Sequence, residues 1–221
     1  MDKEHTPPLE PWKAFEVRKR DPEAKRVAIL NTAAHMFLEL GYRRTSMSEL
    51  AKRLQITKPA LYYYFQNKEE IVVECYRQGI SLIEASLDKA LVQHGTGFEK
   101  VQAYVGAYAT TVVQHEFGRC VAILDDGTFS ETTRREVREQ KRRIDTALRR
   151  YMEEGMEDGS IAPCDAKLAS FAIAGAINWI GTWYQPGGPL SACEIGRQFA
   201  TLLTDGLRGE GGPPMRNDKS A

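Results

Sequence analysis

A short segment from Lys58 to Lys68 concentrates side chains that can bind phosphates or the edges of nucleotide bases. Three consecutive tyrosines, Tyr62, Tyr63 and Tyr64, lie between the two lysines. Amines and hydroxyls donate hydrogen bonds to phosphate oxygens, and a lysine at the start of a helix can reach the acceptor atoms of guanine. The segment therefore has the residue types expected of a surface that contacts nucleic acid, provided that a helix presents them to solvent.

The residues around this segment carry the start signals of two short helices. Ser46 is followed three residues later by Glu49, a pair that satisfies two free backbone amides at a helix start. A second start follows at Thr57, whose hydroxyl can cap a helix with Pro59 in its first turn. Two short helices joined by a tight turn form a helix-turn-helix, whose second helix enters the DNA major groove. The residues expected to be buried are Leu50, Ala51, Leu54, Ile56, Leu61 and Phe65.

Charge is distributed unevenly along the chain. The 221 residues include 30 basic and 30 acidic side chains, so the formal net charge is zero. Between residues 11 and 68, however, twelve Lys and Arg accompany five Asp and Glu, which gives about +7. This basic N-terminal part is expected to supply the salt-dependent, sequence-independent attraction to DNA phosphates.

A second group of chemically competent residues lies further along the chain. His115, Cys120, Asp125 and Asp126 are close in sequence and could in principle form a thiol nucleophile with its base. Nothing in the sequence aligns them, because no nucleophile elbow, metal-ligand spacing or Gly-rich phosphate loop accompanies them. We therefore predict that the protein is not an enzyme and uses no metal or other cofactor.

The cysteines and the hydropathy indicate the compartment. Cys75, Cys120, Cys164 and Cys193 are widely separated and form no C-x-x-C pair. The N-terminus lacks the apolar core of a signal peptide, and no apolar run approaches the ~18 residues of a membrane span. These features predict a cytoplasmic protein with no membrane partner. Oxidation of an exposed thiol, with Cys120 as the first candidate, stays open as an alternative means of sensing.

The DNA-contacting residues need a scaffold, which the caps and apolar spacings predict. Residues 1–20 are expected to form a flexible arm whose basic run is either solvated charge or a contact with the minor groove. A helix between Asp21 and Gly41 completes a three-helix DNA-binding domain over residues 21–68. Residues 209–221 lack apolar anchors and are expected to be disordered. The predicted core of the first helix is Leu30, Ala33, Ala34, Phe37 and Leu40.

Residues 69–208 are predicted to form a larger helical domain, without strands. The segment between Asp165 and Tyr184 is apolar on nearly every side, so we expect it to face both its own core and a partner subunit. With the apolar face of the helix after Ser191, it predicts a homodimer held by four helices. Further helices are expected from Asn67 to about His94, Phe98 to about Phe117, and Thr132 to Asp158. Their expected core includes Val101, Val105, Tyr108, Ala109, Val112, Val137, Ile144, Leu148, Tyr151 and Met152.

The run GYRRTSMSELAKRLQITKPALYYYFQNKEEI, residues 41–71, is similar to the N-terminal signature of TetR-family repressors. In that signature a Gly-aromatic helix end leads into T-[ST] and later into [LI]-Y-x-[HY]-F-x-x-K, and the agreement extends from Arg26 to Tyr76. Gln55 and Ile56 stand where the family usually has Gly and Val, which alters the turn slightly. The resemblance implies an all-α regulator with an N-terminal helix-turn-helix domain and a C-terminal ligand-binding and dimerisation domain.

The resemblance also implies roles for single residues. Small Ala60 suits contact with a thymine methyl group, while Tyr62 could equally belong to the core. Family positions that hold DNA phosphates are matched by Thr45, Ser46, Tyr62, Tyr64 and Lys68, and those that approach base edges by Lys58, Pro59, Ala60 and Tyr63, with Ser48 as a further candidate.

A homodimer implies a palindromic double-stranded DNA operator. The two half-sites must lie about one helical turn, ~34–36 Å, or a multiple of it apart. We predict that an effector bound in the larger domain tilts the helix that begins at Asn67 and thereby changes the separation of the two DNA-binding domains. Coupling of about 1–3 kcal/mol between the two sites is sufficient for release.

The effector is predicted from a set of aromatic and polar side chains. The motif W-Y-x-P-G-G-P-L-S-x-x-E-I, from Trp183 to Ile195, resembles the branch of the family associated with fatty-acid, acyl-CoA and steroid catabolism. This resemblance implies a small lipophilic effector such as an acyl-CoA, with Arg119 or Arg143 at its anionic end. The alternative is an aromatic drug that controls an efflux gene. The expected cavity lining is Tyr104, Tyr108, Phe117, Phe129, Asn178, Trp179 and Trp183.

Overall fold

A computed structural model of the chain describes residues 22–92, 95–124 and 129–210. Within these ranges the chain forms nine α-helices, and its β structure is limited to one antiparallel bridge between Ile161 and Arg208. The all-α prediction is confirmed. The predicted N-terminal arm and nearly all of the predicted C-terminal tail lie outside the described ranges, as do Asp125 and Asp126.

The helices are numbered here in chain order. The first four are α1 (Pro22–Leu40), α2 (Met47–Arg53), α3 (Lys58–Tyr64) and α4 (Lys68–Leu91). The other five are α5 (Gly97–Gln114), α6 (Glu116–Ile123), α7 (Glu131–Glu157), α8 (Ala166–Trp183) and α9 (Ala192–Thr204). No helix in the described part of the chain is both long and apolar enough to cross a membrane.

The chain divides into two compact units, one ending at Gln78 and the other beginning at Gly79. The division falls inside α4, whereas the sequence predicted a domain boundary between residues 68 and 69. The reason is that the first half of α4 belongs to the core of the N-terminal unit: Ile71 and Cys75 are fully buried, and the Cys75 thiol donates to the Leu30 carbonyl at 3.6 Å. One continuous helix therefore contributes residues to both units.

The core of the N-terminal unit follows the predicted stripe of α1 except at its end. Leu30, Ala33, Ala34 and Phe37 are buried, but Leu40 is exposed. Leu40 is the last residue of the helix, and the next residue, Gly41, takes a left-handed φ of +83° that turns the chain away. The predicted burial of Leu40 is therefore wrong.

The caps of the helix-turn-helix are formed as predicted. The Ser46 hydroxyl accepts from the backbone amide of Glu49 at 3.2 Å, and the Glu49 carboxylate accepts from the Ser46 amide at 3.0 Å. Thr57 caps α3 through the Ala60 amide at 3.3 Å, and the side-chain oxygen of Asn67 accepts from the Glu70 amide at 2.8 Å. These bonds fix the ends of α2, α3 and α4 independently of the rest of the chain.

The turn between α2 and α3 contains the one non-glycine residue with a positive φ in the described ranges. Gln55 has a φ of 56°, the left-handed conformation that favours glycine, which is the residue the family usually has here. Ile56, predicted to be a buried plug, is half-buried. Helix α2 ends at Arg53, and the chain turns at Gln55. The side chain of Ile56, which follows this turn, therefore lies at the rim of the core rather than inside it.

Replacing Gln55 by glycine should stabilise the protein. The left-handed conformation costs a residue with a Cβ about 1–2 kcal/mol, which glycine avoids. Glycine loses more conformational entropy on folding, which costs ~0.5–1 kcal/mol. We therefore expect the free energy of unfolding to rise by about 0.5–1 kcal/mol. Urea unfolding of Gln55→Gly beside wild type measures it. Gln66→Gly, at an exposed position with a negative φ, serves as the control and should lose stability; equal losses in both variants would contradict the strain.

The C-terminal unit departs from the sequence prediction after α5. A single helix from Phe98 to about Phe117 was expected, but α5 ends at Gln114 and α6 begins at Glu116, with extended backbone at His115. The chain turns sharply enough that a Cβ on Gly118 would lie 2.6 Å from the carbonyl oxygen of Thr111. Glycine at this position therefore allows α6 to fold back against α5, and every predicted core residue of α5 and α7 is buried.

Candidate nucleic-acid interface and effector region

Helix α3 is anchored on one side and open on the other. Leu61 and Phe65 are fully buried, as predicted, and hold the helix against the N-terminal unit. Tyr63 is 80% exposed and Tyr62 is 50% exposed, so Tyr62 does not belong to the core. Together with the exposed Lys58, Pro59 and Ala60, these tyrosines form a solvent-facing surface that carries hydroxyl and amine donors.

The end of α3 is held by an arginine that sequence reasoning missed. Arg26 of α1 donates to the backbone carbonyl of Tyr64 at 3.3 Å, and its guanidinium lies 4.4 Å from the centre of the Phe65 ring. The ring of the half-buried Tyr64 in turn contacts that of Tyr63 edge-on at 5.1 Å. The signal in the sequence is position: Arg26 precedes Leu30 by one helical turn, on the buried face of α1.

The residues at the start of α2 have different degrees of exposure. Thr45 is buried, and its hydroxyl donates to the Gly41 carbonyl at 3.1 Å. The predicted phosphate contact by this hydroxyl is therefore not available in the observed arrangement, because the group closes the turn after α1. Ser46 and Ser48 are exposed, although the Ser46 hydroxyl also bonds to Glu49 at 2.8 Å.

Lys68 is largely committed to bonds inside the N-terminal unit. Its amine donates to the carbonyls of Tyr42 at 2.8 Å and Thr45 at 2.9 Å, and it lies 4.1 Å from the centre of the Tyr42 ring. Burial lowers the pKa of this amine, and the nearby Glu49 carboxylate opposes that effect. Lys68 thus ties the start of α4 to the loop before α2, a role that the spacing of the sequence motif did not reveal.

Two of the predicted effector residues lie in the interior of the C-terminal unit. Tyr104 and Tyr108 are buried; the Tyr104 hydroxyl donates to the Ile144 carbonyl at 3.3 Å, and the Tyr108 hydroxyl donates to the side-chain oxygen of Asn178 at 2.9 Å. Burial raises the pKa of both phenols, so both hydroxyls stay protonated at neutral pH. The structure thus joins Tyr108 of α5 to Asn178 of α8.

Other predicted effector residues are less deeply buried or lie on the surface. Phe129 is buried, and Phe117 and Arg119 are half-buried on or beside α6. Trp179 is 64% exposed and Trp183 is 45% exposed. Both tryptophans occur on the face of α8 that turns away from the core, so the expectation that they line an internal cavity of one chain is not met. Arg143 is likewise exposed on the outer face of α7.

Two family models match the chain. The model of bacterial regulatory proteins of the tetR family matches residues 29–75. The model of the tetracyclin repressor-like C-terminal domain matches residues 94–207, which is more than half of the chain. The chain belongs to the TetR family. This result confirms the resemblance found in residues 41–71 and identifies the open surface of α3 as part of a regulator's helix-turn-helix.

Individual proteins of the TetR family match over most of their length. The HTH-type transcriptional repressor KstR2 of Mycolicibacterium smegmatis is 28% identical over 196 residues, which cover 84% of this chain and 92% of KstR2. The ketosteroid transcriptional regulator KstR2 of Mycobacterium tuberculosis has the same fold, with a TM-score of 0.78 at 24% identity over 84% of this chain and 96% of its own. AibR, solved in complex with isovaleryl coenzyme A and operator DNA, gives a TM-score of 0.73 at 25% identity over 81% of this chain and 97% of its own.

The environment of Cys120 in this TetR-family chain bears on whether its thiol could act as a nucleophile or as a redox sensor. Cys120 is fully buried, and burial together with the Glu116 carboxylate raises the pKa of its thiol to about 12. A thiol with that pKa is neither a nucleophile nor a ready target of oxidants at neutral pH. His115 is exposed at the break between α5 and α6. The arrangement thus offers no activated thiol at Cys120, for catalysis or for redox sensing.

Proposed function

We propose that the protein is a ligand-responsive transcriptional repressor that binds a palindromic operator as a homodimer and is released by a small lipophilic effector. The observation that carries the DNA-binding part is the solvent-facing surface of α3, with Tyr63 80% exposed on a helix anchored by Leu61 and Phe65. A helix whose inner face is anchored in the core and whose outer face exposes hydroxyls and an amine has the form of the recognition helix of a helix-turn-helix. The KstR2 relative, a transcriptional repressor by name, supports the sign of the regulation.

The proposed DNA contacts follow from exposure. Lys58, Pro59, Ala60 and Tyr63 would approach base edges in the major groove, because they lie at the exposed start and outer side of α3. The exposed or half-buried hydroxyls of Ser46, Ser48, Tyr62 and Tyr64 would orient the helix on phosphates.

Tyr63→Ala should relax sequence choice. Its side chain is the most exposed aromatic group of α3, and a lost base contact removes about 1–3 kcal/mol of discrimination. Titration of the variant with operator DNA and with a single-base-substituted operator measures the change in the affinity ratio. Tyr62→Ala is the matched control, since loss of a phosphate contact should weaken both DNAs equally; equal effects of both variants on both DNAs would contradict the proposed roles.

The proposed dimer rests on an apolar stripe that one chain leaves uncovered. On the outer face of α8 it consists of Leu168, Phe171, Gly175, Trp179 and Trp183, which recur at the spacing of a single helix face. A Cβ added at Gly175 would meet nothing within 4 Å, so the middle of the stripe is open. Exposed contiguous apolar area of this kind usually marks a protein interface.

Helix α9 continues the uncovered surface. The ring of Phe199 stacks on that of Trp183 at 6.4 Å, and Leu202 further along α9 is 74% exposed. The two helices from each subunit would then form the four-helix interface expected from the sequence. A two-fold dimer presents two α3 helices to a palindrome, with half-sites about 34–36 Å or a multiple apart.

An acyl-CoA is the effector class that we propose. AibR, a regulator of the same fold at 25% identity, was solved with isovaleryl coenzyme A, and the motif from Trp183 to Ile195 points to the same branch of the family. In this chain the buried Tyr108–Asn178 pair places hydrogen-bonding groups among apolar residues of the C-terminal unit, as ligand sites require. The signal would pass along α4, whose single helix supplies residues to both units.

The deciding experiment is a band shift with the purified protein and the DNA upstream of its own gene. We expect a retained complex that acyl-CoAs of different chain length dissociate and that aromatic drugs do not, with free fatty acids as a further probe. Release by the drugs alone would replace this effector class by the efflux-type alternative. Absence of any specific retention, with non-specific DNA as the comparison, would contradict the DNA-binding proposal itself.

A further inference from the structure

Helix α6 carries an arginine, Arg119, that forms no ion pair with any of the residues that the structure describes. Arg119 is half-buried, and its Nε is fully buried yet makes no hydrogen bond within the described residues. Its guanidinium lies 5.6 Å from the centre of the Tyr184 ring. A guanidinium is always charged, and a buried donor left unsatisfied is costly, so an arginine in this state is poised for an anion.

The surroundings of Arg119 are fixed by close packing of α6 on α8. A Cβ on Gly181 would lie 2.6 Å from Cγ2 of Ile123 and 3.7 Å from the carbonyl oxygen of Arg119. The two helix backbones are therefore nearly in contact at Gly181. The backbone of Arg119 is thereby held against α8, and its guanidinium lies beside Tyr184, the residue that follows the end of that helix.

The polar side chain of Asn178, three residues before Gly181 on α8, is already engaged elsewhere. Its oxygen accepts the Tyr108 hydroxyl at 2.9 Å, so it belongs to the contact between α5 and α8. No carboxylate forms an ion pair with Arg119 within the part of the chain that the structure describes.

We propose that Arg119 binds an oxyanion of the effector, with the Tyr184 ring beside it. The inference rests on the proposed function and assigns the polar end of that effector to the α6–α8 contact, rather than to Arg143. Two sources share this chemistry: the carboxylate of a free fatty acid and a phosphate of coenzyme A. A guanidinium binds either group in a forked, bidentate manner.

The test compares full-length variants for effector-driven release of operator DNA. Arg119→Gln should need at least ten times more octanoyl-CoA for half-release than wild type, while its operator affinity without effector stays the same. Arg119→Lys, which keeps the charge but loses the fork, should fall between them. Arg135→Gln removes an arginine whose side chain is 81% exposed and is the matched control, with an unchanged response expected.

Ligand probes separate the two sources of the oxyanion. Octanoate, coenzyme A without an acyl chain, and the uncharged N-acetylcysteamine thioester of octanoate are each titrated against wild type and Arg119→Gln by calorimetry. A loss confined to coenzyme A and octanoyl-CoA assigns a phosphate to Arg119, and a loss confined to octanoate assigns a carboxylate. An equal loss for the uncharged thioester would overturn the proposal, because it would mean that the substitution damages the fold of the site.

The outcomes also separate this inference from the proposed function. Wild-type release by octanoyl-CoA with an equal response of Arg119→Gln overturns the Arg119 site and leaves the effector class standing. Loss of the response in Arg143→Gln instead would place the oxyanion on α7. If wild type retains operator DNA and none of these acyl compounds releases it, both the Arg119 site and the proposed effector class are overturned. Thermal melting of each variant, with wild-type behaviour expected, verifies that it is folded.

Discussion

Replacing both Phe171 and Trp179 by glutamate is expected to convert the protein to monomers and to weaken operator binding by at least 100-fold. Both rings lie on the exposed face of α8, and each leaves more than half of its surface uncovered in one chain. Covering about 120 Å² of such a ring contributes ~3 kcal/mol at ~25 cal/mol per Å². The double variant loses this contribution on both subunits and sets four carboxylates against each other across the two-fold axis.

The loss of DNA binding follows from the loss of the dimer. A single helix-turn-helix contacts only one half-site, whereas two linked copies bind the second half-site without a further diffusional encounter. Sedimentation velocity at micromolar concentration measures the mass, and band shifts on the full palindrome and on one half-site measure the affinity. The variant should bind both DNAs with nearly the same weak affinity.

Val92→Glu provides the control for the dimer prediction. Val92 is 83% exposed just after the end of α4 and lies outside the stripe of α8. Introducing a carboxylate there adds negative charge of the same kind, one per chain instead of two, without affecting the proposed interface, so the protein should remain dimeric. If the double variant of Phe171 and Trp179 still sediments with the mass of the wild-type dimer, the uncovered stripe is not the interface.

Local signals predicted the helix-turn-helix closely, and the reason is physical. A capping box and a first-turn proline satisfy free backbone amides with residues three or four positions apart, so their effect is contained in a short stretch of sequence. The caps at Ser46, Thr57 and Asn67 accordingly occur where they were predicted. The burial of Leu61 and Phe65 is equally local, because Phe65, the C-cap of α3, follows Leu61 by four residues, about one helical turn.

Contacts between distant parts of the chain could not be predicted in the same way. The bond from Arg26 to the Tyr64 carbonyl and those from Lys68 to the loop before α2 join residues separated by more than twenty positions. The motif assigned Thr45 and Lys68 to DNA phosphates, but it does not encode which side chains are consumed by such internal bonds. The break at His115 escaped prediction for the same reason, since it depends on how closely Gly118 approaches Thr111.

The effector residues were the hardest to predict because the residue type alone does not show whether an aromatic side chain lies in a core, a cavity or an interface. Tyr104 and Tyr108 proved to be interior, whereas Trp179 and Trp183 are on the outer face of α8. The apolar character of the whole α8 segment was recognised from the sequence, but the division of its faces depends on packing against α5, α6 and α7. Arg119 was a candidate by residue type alone, and its unsatisfied Nε is a property of the packed structure that the sequence does not show.

Lys68→Met is expected to destabilise the N-terminal unit by about 2 kcal/mol, the cost of leaving two loop carbonyls without their charged donor. The ammonium bridges the carbonyls of Tyr42 and Thr45, which lie in the loop that leads to the capped start of α2. Without this bridge the loop opens more often, and Ser46 and the turn before α3 lose their fixed position. Operator affinity should fall because a smaller fraction of molecules has the binding geometry.

The salt dependence of DNA binding distinguishes this role from a simple phosphate contact. If Lys68 only neutralised a phosphate, the substitution would lower the slope of log K against log salt by about 0.9 and leave stability unchanged. Lys58→Met is the matched control, because Lys58 is exposed at the start of α3 and its amine makes no hydrogen bond or ion pair within the described residues. We expect Lys58→Met to change the slope and Lys68→Met to change mainly the hydrogen-exchange protection of residues 41–50 and the urea midpoint. If Lys68→Met keeps the wild-type hydrogen-exchange protection and its salt slope falls as in Lys58→Met, the structural role is contradicted. A residue that ties α4 to that loop cannot be removed without loosening the loop.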